Sequence, residues 1–153
     1  MKNVLFVCEG NICRSPSAEA YFNYRVEQLG LANKYHAFSK GLIFTTNGQD
    51  IFAPFIELLD KDGVPHPKHS AKIATRNDVN EADYILVMDS SQRVLLKRNL
   101  FLKDISNISR LGDYLDPQQD IDDPYSNGKY EETYALVKKA VDGFVDYLVK
   151  IDA

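Results

Sequence analysis

The chain has 153 residues, a length that suits one domain and buries about two-thirds of the surface that an unfolded chain of that size exposes. Its 18 basic and 22 acidic residues give a net charge of -4, and no Lys/Arg block marks a nucleic-acid surface, so no nucleic-acid partner is expected. The only cysteines are Cys8 and Cys13, with no charged leader before an apolar segment and no run of about 18 apolar residues; the expectation is a cytoplasmic protein without a membrane partner, whose cysteines serve chemistry rather than cross-linking.

In chain order, residues 3 to 7 (NVLFV) are a short continuous apolar run that reads as a buried strand, and EGN breaks it. From Ser17 to about Leu29, Ala18, Tyr21, Phe22, Val26 and Leu29 recur at helical spacing, with Ser15 as the expected N-cap, Pro16 as the first helical residue and Gly30 at the stop. A second strand is expected at 35 to 39, followed by a Gly- and Asn-containing loop and a helix near 49 to 62 that ends at DGVPHP. DYILVMD, 83 to 89, is the clearest later strand, with Ser90 and Ser91 as candidate caps of a helix running to Leu100.

A weaker strand at 104 to 109 leads into a long polar connection, RLGDYLDPQQDIDDPYSNG. An amphipathic helix over 129 to 150 follows, with Val137, Ala140, Val141, Phe144, Tyr147 and Leu148 on its apolar face. Alternating strands and helices predict an α/β fold: a parallel sheet with helices on both faces and ligands beyond the carboxyl ends of the strands.

The first strand-loop-helix carries the chemistry. No GxGxxG and no Walker-type GK[ST] is present, so the loop is not a nucleotide cradle of those kinds. Between Cys8 and Arg14 lie Glu9, Gly10, Asn11, Ile12 and Cys13. Gly10 and Asn11 tolerate left-handed backbone angles, so the amides can converge into an anion nest. A helix N-terminus beneath it favours the same anion, and Arg14 adds a planar fork matched to two oxygens of a phosphate. Those groups together favour thiolate over thiol at Cys8, and a thiolate beneath a bound phosphate is a nucleophile. The Ser15 hydroxyl can donate to that sulfur and help it leave again. The plainer reading of Cys8, an inert buried strand-end cysteine, has no use for the combined pattern. Cys13 has two readings: a bridge to Cys8 that protects the nucleophile from over-oxidation, or simple packing.

A second constellation, DIDDPYS, places Asp120, Asp122 and Asp123 before Pro124 and Tyr125. Acidic runs in loops are commonly just solvated. Cleaving an aryl phosphate, however, expels a phenolate, and an Asp held protonated can supply the proton and afterwards take one from water. Pro124 stiffens this loop, and Tyr125 offers an aromatic wall.

Together, VCEGNICRSPSAEA and the distant DDPY strongly resemble the low-molecular-weight protein tyrosine phosphatases, and HSAKI, DYILVMD and RLGDYLDPQ extend the likeness over nearly the whole chain. The resemblance implies one α/β domain over residues 1–153, with a four-stranded parallel sheet and a phosphate-binding loop after the first strand. It also implies hydrolysis through a cysteinyl-phosphate without metal or cofactor, a phosphotyrosine protein as substrate and inorganic phosphate as product. The expected state is a monomer, with weak dimerisation as the alternative. Matched residue by residue, Cys8 is the nucleophile, Arg14 the phosphate clamp, Ser15 the thiolate partner and Asp123 the general acid and then base. Asn11 would be braced by Ser39 and His69.

Three departures from the family pattern stand out. Glu9 puts a negative charge at the pocket rim and disfavours acidic phosphopeptides. Ser126 replaces a second aromatic, and the stretch 43 to 56 differs most, leaving Phe44 as the candidate second wall. Four other readings compete. An arsenate reductase would need further cysteines after Cys13, and none occurs. A phosphoarginine phosphatase of the same family typically has Thr where this chain has Ile12. A sugar-system phosphocarrier has no use for Arg14 with a distant acid, and a silent phosphate-binding module could dispense with Cys8 and Asp123.

Overall fold

The computed structural model describes residues 1–152, apart from the side chains of Tyr125 and Ser126. The first strand, β1 (Lys2–Val7), is apolar without alternation because both its faces are covered. Val4 and Phe6 pack towards α1 (Arg14–Gln28) and α6 (Tyr130–Ile151). Leu5 and Val7 turn the other way, into a core with Val79 of α3 (Arg76–Glu81) and Leu96 of α4 (Ser90–Leu100).

Three further strands, β2 (Tyr35–Lys40), β3 (Tyr84–Val87) and β4 (Ile108–Arg110), complete a parallel sheet in the order β2-β1-β3-β4. Leu5 pairs with Phe38 on one side and Ile85 on the other. The chain therefore leaves β1 towards one edge of the sheet and later returns to its opposite side. The carboxyl end of β1 lies at that switch point, where open α/β sheets bind ligands. Helix α2 (Ala53–Lys61) closes this end: Phe55 and Leu59 pack with Ile12, Cys13 and Tyr134 of α6.

Phe144 anchors α6 through rings of Phe22, Tyr84 and Tyr114 at centroid distances of 5.9, 5.7 and 5.0 Å, contacts worth roughly 0.5–1.5 kcal/mol each beyond burial. Tyr147, expected on the same apolar face, instead stands at its exposed margin beside Tyr114. No helix among the described residues is long and apolar enough to cross a membrane.

Several boundaries differ from the sequence expectation, each for a local reason. Helix α1 begins at Arg14 with Cys13 as N-cap, so Ser15 and Pro16 lie inside the first turn. Ser15 does not cap because its hydroxyl is engaged with Cys8 and Asn11. Asp89, rather than Ser90 or Ser91, caps α4 by accepting the Gln92 amide at 3.0 Å. Residues 49 to 52 are loop rather than helix because the Gln49 carbonyl and the Phe52 amide are committed to Ala71 and Ile12.

The strand expected at 104 to 109 shortens to Ile108–Arg110, and the polar connection after it contains a 3-10 turn (Leu111–Tyr114) and α5 (Pro124–Asn127). Helix α3 escaped the sequence pattern because none of its six residues is buried; the Thr75/Asp78 capping box forms it.

The loop from the 3-10 turn to Asp123 rests on a close backbone approach. Both the Leu115 and Gln119 amides donate to the Gly112 carbonyl, and a Cβ on Gly112 would fall far inside contact distance of the Gln119 oxygen. Gly112→Ala is expected to cost about 1 to 3 kcal/mol by overpacking. For a chain of this size the thermal midpoint should then fall by roughly 3 to 10 °C. Thermal unfolding followed by circular dichroism checks this, and an unchanged midpoint would count against the tight approach.

Candidate active site

The loop from Cys8 to Arg14 is fastened from outside by its carbonyls. The Glu9 carbonyl accepts the Leu42 amide at 2.8 Å, and the Gly10 carbonyl accepts the Thr46 hydroxyl at 2.6 Å. The Asn11 carbonyl accepts His69 Nε2 at 2.7 Å, and that of Ile12 the Phe52 amide at 2.8 Å. Cys13 accepts both the amide and the hydroxyl of Ser17. In a trans peptide the carbonyl and the following N–H point in opposite directions. Five carbonyls turned outward therefore turn the amides of Gly10, Asn11, Ile12, Cys13 and Arg14 inward, and none of these donates to a described residue. Asn11 makes the curl with φ of 56°. Gly41 lets the neighbouring segment close in, since a Cβ there would lie 3.0 Å from Asn11 Cβ.

A directed chain of hydrogen bonds stands behind the loop. The Lys72 amide donates to Asn11 Oδ1 at 3.2 Å, which settles the orientation of the Asn11 side chain. Its Nδ2 then donates to Ser15 Oγ at 2.9 Å and Ser39 Oγ at 3.0 Å. Having accepted from Asn11, Ser15 is free to donate its own hydrogen to Cys8 Sγ at 2.9 Å, and its amide lies 3.4 Å from the same sulfur. Ser39 passes its hydrogen to Glu19 Oε1 at 2.7 Å. Because a carbonyl only accepts, His69 carries its proton on Nε2.

Arg14 is 2% exposed and joins two distant segments. Its Nη1 donates to the Ile121 carbonyl at 2.8 Å and lies 3.5 Å from Asp89 Oδ2; Nη2 lies 4.0 Å from Asp123 Oδ2. Its buried Nε has no hydrogen-bond partner among the described residues. Ile121 in turn donates its amide to Met88 at the end of β3, and Asp120 is held by Arg110 and the Ser90 amide. The acidic run thus divides by role: Asp120 anchors, Asp122 faces solvent, and Asp123 reaches the cavity.

A cavity of about 320 Å³ opens here, lined by Cys8, Glu9, Gly10, Ile12, Cys13, Arg14, Ile43, Thr45, Thr46, Gln49 and Asp123. Most of the residues expected at the site therefore converge, with Asn11, Ser15, Ser39 and His69 behind the loop. Phe44 stands apart: it is 73% exposed and outside the lining, where its neighbours Ile43 and Thr45 are found instead. The wall expected from Tyr125 falls on a side chain outside the described residues. Cys8 and Cys13 are both free thiols, and Cys13 packs with Phe55 and Ala20. Burial, with Cys8 nearby, pushes the Cys13 thiol up to about 12, so it stays protonated at neutral pH. Among the described residues no cluster of three or more His, Cys, Asp or Glu side chains is placed to hold a metal.

Sequence reasoning did not single out Thr46, Glu19, Asp89 or Ile121. Only Glu19 left a readable signal, four residues after Ser15 and so on the same helical face; the others act through contacts that appear only on folding.

Comparison with known proteins agrees with this geometry. The model of the low molecular weight phosphotyrosine protein phosphatase family matches residues 3–152. The chain belongs to that family. It is 36% identical over 140 residues to the low molecular weight protein-tyrosine-phosphatase YfkJ of Bacillus subtilis, covering 90% of each chain. The crystal structure of YfkJ superposes with a TM-score of 0.95 at 34% identity, covering 100% of this chain and 98% of that one. A Drosophila arginine phosphatase is also similar in structure, with a TM-score of 0.85 at 29% identity and coverage of 97% and 98%. The family makes this chain a hydrolase of the protein-tyrosine-phosphatase class, working through a cysteinyl-phosphate.

Glu19 supplies a pH test of the supporting chain. Burial raises its carboxyl above the usual 4.5, partly opposed by the Ser39 hydrogen bond. A raised acid contributes stability that is complete below the unfolded value and is lost as pH rises through the folded one. Glu19→Gln keeps an acceptor for Ser39 and removes the titration. Urea unfolding at pH 4.5, 5.5 and 7 should therefore show the variant gaining on the wild type as pH rises; a constant difference would remove the burial cost from Glu19.

Proposed function

We propose that the chain hydrolyses phosphotyrosine in proteins with Cys8, Arg14, Ser15 and Asp123 as its working groups. The observation that carries this reading is the set of five outward carbonyls, because the inward amides they imply match the oxygens of a phosphate dianion. The unpaired Arg14 Nε adds to it, since a buried guanidinium N–H without a partner is costly and a phosphate oxygen would supply one.

In the first step the Cys8 thiolate attacks phosphorus. The S–P bond forms as the P–O bond to the phenol breaks, and Asp123 gives its proton to the departing oxygen. Asp123, now ionised, takes a proton from water whose oxygen attacks the phosphocysteine. The S–P bond breaks, inorganic phosphate leaves, and Ser15 donates to the sulfur as its negative charge returns. The amides of Gly10, Asn11, Ile12, Cys13 and Arg14 form the phosphate cradle, braced by Ser39 and His69, with Glu9 at its rim. By its place in DDPY, Tyr125 is assigned the aromatic wall of the substrate slot; Phe44 lies outside the cavity lining. The reaction needs no metal or cofactor, and the protein acts in the cytoplasm as a monomer.

Phosphoarginine is the rival substrate, suggested by the Drosophila relative. Ile12 favours the aryl ester: its apolar side chain lines the cavity and offers nothing to a charged guanidinium.

Hydrolysis of p-nitrophenyl phosphate should persist in chelator and vanish in Cys8→Ser. Asp123→Asn should lose about 10² to 10⁴ in kcat with phenolic leaving groups, the usual worth of general acid catalysis; an unchanged rate would remove Asp123 from the mechanism. Acid quenching of turnover should trap phosphorus on Cys8. A separate test uses iodoacetate at pH 7, which should alkylate Cys8, be blocked by inorganic phosphate and leave Cys13 untouched. Mass mapping that found Cys13 modified first would reverse these assignments.

A further inference from the structure

We infer that the site selects phosphotyrosines flanked by Lys or Arg, and that Glu9 is the residue that reads the flanking cation. This rests on the phosphotyrosine reading above. Glu9 is exposed and lines the cavity, and its carboxylate makes no ion pair or hydrogen bond among the described residues. Its backbone is pinned by the Leu42 amide, so the side chain stays at this rim. Apart from the two cysteines, the other ionisable groups of the lining are Arg14 and Asp123. Arg14 is buried and tied to Ile121 and Asp89, while the Asp123 side chain is 37% exposed. The accessible charge around the mouth is therefore negative, although the floor is built for an anion.

A tyrosine ring reaching that floor leaves the substrate backbone, and the side chains beside the phosphotyrosine, at the rim. A cation there meets an unpartnered carboxylate, whereas an acidic neighbour meets like charge, and the one basic residue of the lining, Arg14, is buried and already tied to Ile121 and Asp89. Rim charges of this kind act weakly, with attraction and repulsion adding between the two cases. Lys-flanked over Glu-flanked substrate should differ by roughly 3- to 10-fold in kcat/KM at low salt, and by less at 0.5 M salt, where screening is strong.

The experiment compares three phosphotyrosine peptides identical except for Lys, Ala or Glu on either side of the phosphotyrosine, with wild type, E9Q and E9K, at low and high salt. The expected result is a Lys-over-Glu preference in wild type that shrinks in E9Q, inverts in E9K and fades with salt. Turnover of the Ala-flanked peptide with the same ratio in all three proteins would overturn the role of Glu9 alone, as would a wild-type preference for Glu. Failure on all three peptides together with cleavage of phosphoarginine would overturn the phosphotyrosine reading and this inference with it.

Discussion

The site depends on the direction of five peptide planes. A short loop after a strand has many ways to curl, and most would leave carbonyl oxygens and amides mixed around the same space. Here each carbonyl from Glu9 to Cys13 is claimed from outside, by Leu42, Thr46, His69, Phe52 and Ser17. Planarity of the peptide then decides where the amides go. The outward hydrogen bonds hold those amides in place, and preorganised donors need no rearrangement when charge develops on a reacting group. Four of the five fasteners come from the segment 42 to 69, so the loop that looks self-contained in sequence is held by a distant segment.

Arg14 ties the second half of the chain to the first. Its guanidinium bonds to Ile121, which itself bonds to Met88 at the end of β3. A charge on the first helix, the end of the third strand and the acidic loop thus form one unit, and Asp123 comes to Arg14 as part of it. Asp120, which looks equivalent to Asp123 in sequence, is bound to Arg110 and Ser90 and anchors the loop. Two carboxylates of one short run therefore differ in use because one is paired with Arg110 at the end of β4 and the other lies beside Arg14 in the cavity lining.

The polar chain behind the loop has a single sense. With Asn11 oriented by the Lys72 amide, each hydroxyl has one partner to accept from and one to donate to. The run ends at the Cys8 sulfur on one side and the Glu19 carboxylate on the other, both acceptors of hydrogen bonds. Buried polar groups are tolerated when every member is satisfied in this way, and a satisfied network rigidifies what it touches.

Much of this was legible without coordinates. NVLFV marks a strand buried on both faces, the Cys8 to Arg14 loop carries its own chemistry, and the final helix shows its apolar face, because these features depend on residues close in sequence. The same local logic misled where a distant partner intervened. Ser15 looks like a cap and is drawn to Cys8, Ser90 and Ser91 lose the capping position to Asp89, and Tyr147 slides to the margin of the core. Helix α3 left no trace because none of its six residues is fully buried and only Val79 packs against the core.

Sequence alone therefore determined the order of the four strands along the chain, the strand-loop-helix that carries Cys8 and Arg14, and the family. Tertiary structure decided which way the loop's peptides face, which Asp reaches the cavity and that Phe44 stays outside it. Those outcomes rest on hydrogen bonds between segments tens of residues apart, and such partners exist only once the sheet has brought its strand ends together.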